Sequence, residues 1–463
     1  MSNAIEVSDS AQFCHLFVTL CLQVVFVLKQ YIPNHSENMP RKTIALSLAL
    51  LTGTGFAGKV PNVKPAGKPE AKMEVKAEAP KEKSPYDSLW NALTLYKDKD
   101  GSILNEFKIV GRAHFDEYYT DSNVGWDQDW VVRRLRLGVK ATLFHNLDLH
   151  VEVDLDPQNP GGALHISDPT YQRLTDAYVS WKFCDAAKLT VGKQSVKFTL
   201  DGGTSSNELI TIDRNNLTNN VWFTTEYISG VSMSGKVGNW QYNTGIFSGG
   251  SIFAPQSTFA NSSKEFGNFN GGNFWLGSIG YDLAGKFGVK KALVRADVIY
   301  NDPSTQSNAT KNFSWIESLT FQFDAGRWGF STDMTAANGS LNQPDIFGVV
   351  VMPWYNITDK LQVVGRYTYM TSDGNNGISF NRYENVTAVN TDARGNIRTN
   401  ALGRASTQRG DDYNELYAGL NYYLYGHKLK LQTGFSYAWM RDGANDGGRY
   451  DGWSWTTGLR ISW

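Results

Sequence analysis

The chain has 463 residues and a formal net charge of -1 at pH 7. Hydrophobic residues make up 41% and the mean hydropathy is -0.37, which excludes a bundle of membrane-spanning helices. A chain with almost no net charge has no general attraction for nucleic acid, so we predict no nucleic-acid partner. The 14 Trp, 22 Tyr and 24 Phe are an aromatic load typical of the interfacial girdles of outer-membrane barrels.

The N-terminal part carries export and linker signals. Residues 1–38 include an apolar run at 16–28 that is shorter than a membrane-spanning helix needs. We interpret Met39 as the true start and the preceding residues as a mis-called extension; an uncleaved anchor is the alternative. Residues 39–57 have the charged, apolar and small-residue regions of a secretory signal peptide in order. Residues 58–88, rich in Lys, Glu, Ala and Pro, are predicted to be a disordered periplasmic segment.

The last twelve residues alternate between two kinds of side chain. This period of two predicts a strand with one face toward an apolar medium and one toward water. An aromatic residue at the chain end predicts a strand that closes a membrane barrel by pairing with the first strand. The apolar parity carries Trp453, Trp455, Leu459, Ile461 and Trp463, and the polar parity carries Ser454, Thr456, Gly458, Arg460 and Ser462.

The same alternation predicts sixteen strands in the domain from residue 89 to 463. An even number places both chain ends on the periplasmic side. We therefore predict an all-β fold, a 16-stranded antiparallel transmembrane β-barrel. The predicted strands are 107–116, 131–141, 147–156, 174–183, 187–194, 225–237, 240–248, 274–283, 291–300, 313–324, 328–336, 346–355, 361–370, 412–424, 429–438 and 452–463.

Short and long connections alternate along these strands. This asymmetry predicts short periplasmic turns and long external loops, whereas a soluble sandwich would mix its loop lengths. The third external connection, 195–224, contains Lys197 and Arg214. The third loop of general porins folds into the barrel and narrows it, so Lys193, Lys197 and Arg214 are candidates for the narrowest point of the path, against ordinary surface exposure.

Charged rows lie on the water-facing parity of two neighbouring strands. Because a tight turn joins the strands, the rows face each other across a hairpin. They either neutralise each other or produce a transverse field that guides anions through a constriction. The basic row is Arg134, Arg136 and Lys140, and the acidic row is Asp148, Glu152 and Asp154.

Arg133 lies on the apolar parity of the same strand as the basic row. It either points outward near an interface or is turned inward by a local bulge. His114 and His150 are expected to be polar residues of the channel wall. The sequence has no Gly-x-Ser-x-Gly, HExxH or P-loop motif and no Cys/His cluster with zinc spacing, so we predict neither an enzyme nor a cofactor.

Several segments resemble the phosphate-selective porin O and P family over roughly residues 89–463. That resemblance implies a trimeric sixteen-stranded porin whose third loop folds inward and whose arginines and lysines hold an anion. Arg133 and Arg134 match the paired arginines of the family's site, Asp176 its acidic position, and Lys193 or Lys197 its loop lysine. The segments that carry the resemblance are 89–101, 130–138, 149–155, 176–178, 191–200 and 361–367.

The resulting expectation is a bacterial outer-membrane porin for passive diffusion of small anions, with phosphate or polyphosphate as the most specific version. The alternative is a non-selective general porin whose long loops, above all the polar 371–411 connection, also act in adhesion. Expected partners are small inorganic anions, outer-membrane lipid and lipopolysaccharide, two further copies in a homotrimer, and the barrel-assembly machinery, which would bind the C-terminal strand.

Overall fold

The computed structural model describes most of the chain from residue 84 onward. The predicted extension and signal peptide, and most of the predicted periplasmic segment, lie outside the described residues. These are 84–155, 171–223, 226–249, 266, 269, 272–302, 309–388, 408–441, 443 and 449–463.

Sixteen antiparallel strands form a closed ring, which confirms the predicted barrel. Each barrel strand pairs with its neighbour in sequence, and the last pairs with the first. A short strand, β1 (Thr94–Lys97), adds to the first barrel strand, and β15 (Ile378–Ser379) pairs with β16 (Arg409–Gly410) inside a loop. The barrel strands are β2 (Leu104–Ser122), β3 (Gly125–Leu143), β4 (Leu147–Leu155), β5 (Tyr171–Cys184), β6 (Ala187–Ser195), β7 (Tyr227–Val237), β8 (Trp240–Ser248), β9 (Asn273–Asp282), β10 (Lys291–Asn301), β11 (Phe313–Asp324), β12 (Trp328–Gly339), β13 (Ile346–Asn356), β14 (Leu361–Ser372), β17 (Asp412–Tyr425), β18 (Leu429–Arg441) and β19 (Tyr450–Ser462).

Strand β19 closes the ring against β2. Backbone hydrogen bonds of 3.1 and 3.0 Å link Gly111 with Trp463 in both directions. The predicted parity is also present, because the Trp455 side chain is 56% exposed on the outer face whereas Arg460 is buried on the inner face. Lipid therefore contacts the aromatic face, and the polar face lines the interior.

The first external connection is much shorter than the sequence pattern indicated. β2 and β3 have 19 residues each and are joined by Asn123 and Val124 alone. A tilted membrane-spanning strand needs about 9–11 residues, so this hairpin extends beyond the membrane. Its inner face there is covered by protein, since Tyr118 and Thr120 are almost fully buried, and only its outer face meets water. The regular apolar alternation that marks a membrane-spanning strand in the sequence is therefore lost.

Within the described residues there are four short helices besides the strands. They are α1 (Asp87–Ala92), α2 (Asn216–Val221), α3 (Ala284–Phe287) and α4 (Arg382–Ala388). Among the described residues, none of the helices has the length and apolarity needed to cross a membrane. Helices α2 and α4 lie in two external connections that both fold into the barrel.

The connection between β6 and β7, residues 196–226, is called L3 and crosses the barrel interior, as predicted. Polar wall residues hold it: the backbone N–H of Leu200 donates to Asp333 at 2.8 Å, and Lys430 donates to the Leu209 carbonyl at 2.6 Å. Apolar L3 residues such as Phe223 pack against inward-facing Phe274 of the wall, with ring centres 4.9 Å apart, and both are buried. The inner wall next to L3 is therefore apolar, in contrast to the polar lining expected from strand parity alone.

Candidate functional site

Three arginines of neighbouring strands point into the barrel opposite L3. Arg112 of β2 pairs in register with Arg136 of β3, and His114 pairs with Arg134. Positions two apart on a strand share a face, so alternation brings Arg134 and Arg136 to the same side. All three guanidinium groups are buried, which removes most of the water that would screen their charge.

Arg133 reaches the same interior through a β-bulge. Phe115 pairs with Val132 and His114 pairs with Arg134, so Arg133 is the extra residue of β3. A bulge turns a side chain out of regular alternation. The Arg133 guanidinium lies inside, with Nη2 3.3 Å from Asp213 Oδ1 of L3. The structure therefore adopts the bulge and not the outward orientation.

Arg136 is neutralised by acidic neighbours. Its Nε donates to Asp154 at 3.1 Å, its Nη1 lies 3.8 Å from Glu152, and its Nη2 lies 3.6 Å from Glu226 of L3. The guanidinium also stacks 5.0 Å from the Tyr227 ring centre. Glu152 and Asp154 of the acidic row are thus neutralised by Arg136 across the strands.

Arg134 differs from its neighbours. Its side chain is 3% exposed, and its only polar contact among the described residues is the ring of His114, 3.5 Å from Nη1. Its Nη2 has no hydrogen-bond partner, and no described carboxylate lies within ion-pair distance. A buried guanidinium without a direct carboxylate partner is costly in free energy.

L3 supplies a second cation and the carboxylates that hold it. Arg214 Nη1 lies 3.5 Å from Glu226, and its guanidinium stacks 4.5 Å from the Trp222 ring centre. Burial alone would raise the pKa of Asp213, but Arg133 and Arg382 lower that pKa well below its ordinary value. Asp213 therefore remains ionised between two guanidinium groups.

The seventh external connection, residues 373–411 and called L7, also folds inward in its described parts. Tyr383 of α4 donates a hydrogen bond to Asp116 of β2, and Arg382 Nε lies 3.7 Å from Asp213. Asn220 of α2 exchanges two hydrogen bonds with the backbone of Ser379, at 3.1 and 2.8 Å. L7 is therefore docked on L3 at the cluster of arginines.

Residues 107–264 match the family model described as phosphate-selective porin O and P. This confirms the family resemblance. The protein is a porin of the bacterial outer membrane, and its barrel is a channel. No curated protein matches the sequence.

Several solved porin structures are similar to this chain at low identity. The outer-membrane channel DcaP of Acinetobacter baumannii is 14% identical with a TM-score of 0.48, covering 80% of this chain and 99% of that one. The anion-selective porin of Comamonas acidovorans is 11% identical with a TM-score of 0.48, covering 77% and 99%. The trimer form of Vibrio cholerae OmpT is 13% identical with a TM-score of 0.42, covering 77% and 99%.

The three candidate lysines occupy different parts of the porin. Lys140 is half-buried on the inner side of β3, opposite His150. Lys193 is fully buried within β6, in register with Ala177, so it belongs to the wall and not to the loop. Lys197 begins L3 and is exposed. Of the two lysines that resemble the family's loop lysine, Lys197 is therefore the one that lies on L3.

The remaining acidic candidates are also separated. Asp176 of β5 lies opposite Glu152, with Oδ1 3.8 Å from Nδ1 of His150. Asp148 lies near the periplasmic turn, is exposed, and accepts a hydrogen bond from Thr142 at 2.8 Å. Asp148 therefore does not face the arginines, because the strand extends away from them.

Three residues of the porin's site had no signal in the sequence. Arg382 and Tyr383 belong to the long polar connection L7, which has no period that would assign a face. Glu226 lies at the end of L3, next to the first residue of β7. Their contacts with the wall depend on how the two loops dock, so tertiary structure was needed to find them.

Below L3, on the periplasmic side, the barrel interior contains an open cavity of about 990 Å³. Its wall includes the periplasmic turns at Gly326 and Gly426 and the underside of L3 at Leu209. Cationic side chains line it together with aromatic ones. These are Lys290, Lys291, Arg295 and Lys360 with Phe323, Trp354, Tyr423 and Tyr425.

Proposed function

We propose that this porin passes small anions by passive diffusion and holds phosphate or polyphosphate most strongly at the arginine cluster. The observation that carries the proposal is the buried Arg134 guanidinium, which has no carboxylate partner among the described residues. A permeating oxyanion would supply the missing charge and accept the unused hydrogen bond.

The charge balance of the cluster supports anion preference. Six guanidinium groups converge from the wall, L3 and L7, together with four carboxylates. In a site with little water, guanidinium groups that lack a direct carboxylate partner attract anions more strongly than they would in solution. The cations are Arg112, Arg133, Arg134, Arg136, Arg214 and Arg382, and the carboxylates are Glu152, Asp154, Asp213 and Glu226.

The position of L3 supports the proposal that it forms the constriction. Arg214 and Asp213 of the loop lie against the wall arginines, and exposed Lys197 is the first cation on the loop itself. We assign Lys140 and Lys193 a supporting role, in which their positive charges add to the electrostatic field along the permeation path. We assign the barrel no catalytic role, because the function requires only a water-filled passage.

The competing function is that of a non-selective porin. The carboxylates interleaved with the arginines favour it, since each neutralised pair weakens the field. Its adhesive part concerns the 371–411 connection, whose described ends fold inward and whose residues 389–407 lie outside the described part. Loss of attachment after deletion of those residues, with conductance unchanged, would support adhesion.

We further propose that three copies assemble in the membrane, in contact with lipopolysaccharide, after export through the signal at 39–57. OmpT, an outer-membrane protein of V. cholerae with a trimer form, is one of the structural neighbours. The exposed aromatic face of β19 is the surface on which the assembly machinery would act.

The test is a reversal-potential measurement in planar bilayers across a KCl gradient, with and without phosphate. We expect chloride preference and inhibition of the chloride current by millimolar phosphate. Arg134→Gln should weaken phosphate inhibition about tenfold, as expected for one charged hydrogen-bond donor. Cation preference of the unmodified protein, or a chloride current insensitive to phosphate, would refute the proposal.

A further inference from the structure

We infer that Arg382 of L7 and Arg133 of the β3 bulge form a second oxyanion subsite, in which the Asp213 carboxylate holds the position that a permeating anion would take. This inference rests on the proposed function and deepens it. It adds a residue from the seventh loop and assigns Asp213 the role of a built-in competitor. The chemical class of the ligand is a small oxyanion with several acceptor atoms, such as inorganic phosphate.

The geometry shows a carboxylate that only partly satisfies its two cations. Asp213 Oδ1 lies 3.3 Å from Arg133 Nη2, and Oδ2 lies 3.7 Å from Arg382 Nε. Strong charge-assisted hydrogen bonds between nitrogen and oxygen are about 2.7–2.9 Å long. Asp213 therefore holds both guanidinium groups at more than the optimal distance, and Arg133 is not saturated by it, since its Nε has no hydrogen-bond partner.

Unused donors lie on the same stretch of strand. Arg133 Nε is buried and has no hydrogen-bond partner, and the same is true of Nη2 on the next residue, Arg134. A phosphate has more acceptor oxygens than a carboxylate, and arginine presents its donors in a planar fork that matches it. Phosphate could therefore use donors that Asp213 leaves unused.

A carboxylate that competes with the permeating anion also helps the anion to leave the site. An anion bound by three unopposed guanidinium groups would leave slowly, and conduction requires binding that is weak enough for release. Asp213 is anchored next to the site, because the N–H of Arg214 donates to it at 3.0 Å. When the anion leaves, the Asp213 carboxylate can pair with Arg133 and Arg382 again.

L7 brings Arg382 into place through contacts of its own. The neighbouring Tyr383 ring lies 5.1 Å from the ring of Tyr118, and Asn381 accepts a hydrogen bond from Asn219 of α2 at 2.8 Å. Arg382 is thus supplied by one loop and Asp213 by another. The subsite exists only when both loops are docked.

The experiment compares Arg382→Gln and Asp213→Asn with the unmodified protein, using inorganic phosphate to inhibit the chloride current in planar bilayers. We expect Arg382→Gln to raise the half-inhibiting phosphate concentration about tenfold and Asp213→Asn to lower it severalfold while slowing phosphate flux. Arg382→Lys keeps the positive charge but loses the planar fork of donors. Its half-inhibiting phosphate concentration should lie between those of the unmodified protein and Arg382→Gln. Arg441→Gln, which removes a cation that pairs with Asp451 at another loop, is the matched control and should not change inhibition.

Each outcome is decisive once electrophoresis of unheated samples has shown that the variants are folded barrels. If the unmodified porin prefers anions but Arg382→Gln and Asp213→Asn match it within twofold, the subsite is refuted and the proposed function stands. If Asp213→Asn weakens phosphate inhibition, Asp213 is not a competitor. If the unmodified protein shows no anion preference, the proposed function fails and this inference with it.

Discussion

Arg136 and Asp154 face each other across the β3–β4 hairpin, with Nε of the guanidinium 3.1 Å from the carboxylate Oδ1. Both side chains are almost fully excluded from solvent. Removing one partner of such a pair leaves the other charged in a poorly solvated site. We therefore expect Asp154→Asn to lower the free energy of unfolding by roughly 3 kcal/mol, the lower end of the usual range, since Arg136 keeps Glu226 nearby.

Unfolding of the lipid-folded barrel by the denaturant guanidinium chloride, followed by tryptophan fluorescence, measures this change. Asp148→Asn on the same strand is the control, because that carboxylate is exposed and we expect a change within about 0.5 kcal/mol. Equal midpoints for the two variants would show that the buried pair adds nothing to stability.

A second prediction concerns the pH dependence of L7 docking. Burial and the neighbouring carboxylate Glu415 raise the pKa of Glu384 from 4.5 to about 8. In the docked loop Glu384 therefore keeps its proton at pH values above 4.5, whereas in the released loop Glu384 loses it above this ordinary pKa. The resulting stability is complete below pH 4.5 and is lost as the pH rises through 8. Tyr413, whose hydroxyl donates to Glu384 at 2.6 Å, and Arg366 are the other groups around this carboxyl.

Thermal midpoints of the unmodified protein and of Glu384→Gln, taken from pH 5 to pH 9, test the sign. The glutamine variant cannot ionise, so we expect the unmodified protein to lose stability relative to it as the pH rises. A constant difference across this range would mean that Glu384 does not titrate in the docked loop.

The contact between α2 and L7 gives a third prediction. Asn220 both donates to and accepts from the backbone of Ser379. Its replacement by Ala removes the partner of the Ser379 N–H, while the Ser379 carbonyl keeps the Asn216 amide at 3.0 Å. A partly buried donor left unpaired costs about 1–3 kcal/mol. We expect Asn220→Ala to increase trypsin cleavage after Arg382 at least severalfold in outer-membrane vesicles. Asn356→Ala, which removes an amide bonded to the periplasmic turn at Gly326, should leave the cleavage rate unchanged.

The apolar anchor of L3 gives a fourth prediction. Phe223 of the loop stacks on Phe274 of the wall with ring centres 4.9 Å apart, and both are buried. Truncating a buried Phe to Ala costs about 3–5 kcal/mol. We expect Phe223→Ala to loosen L3, raise single-channel conductance and bring the reversal potential closer to zero. Phe435→Ala on the lipid face is the control, and identical conductance in both variants would contradict the anchoring role.

The strands were predictable because lipid and water impose opposite requirements on alternate residues. Strand β19 shows this most directly, since Trp455 and Arg460 lie on the faces that their parity predicts. The opposed rows around Arg136 and Asp154 followed from the same alternation together with the tight turn between the strands. For Arg133, sequence alone left two orientations, because a one-residue bulge has no periodic signature.

The interior contacts were less predictable. Parity assigns Phe274 and Ile299 to the inner wall, but only the docked L3 explains why large apolar residues are stable there. Arg382 belongs to a seven-residue helix within a polar loop, whose position is fixed by hydrogen bonds to α2 and β2. Contacts between two loops that are distant in sequence have no local pattern from which they could be derived.

Strand β19 provides the hydrogen-bonding partners of β2 from Arg112 to Ser122. During export the first barrel strand therefore keeps one unpaired edge until the final segment, which begins at Tyr450, has crossed the inner membrane. A chain interrupted before that point would leave two open edges and not a smaller pore. Closure of the barrel thus depends on the complete C-terminal strand, and the edge of β2 is the one that stays open longest.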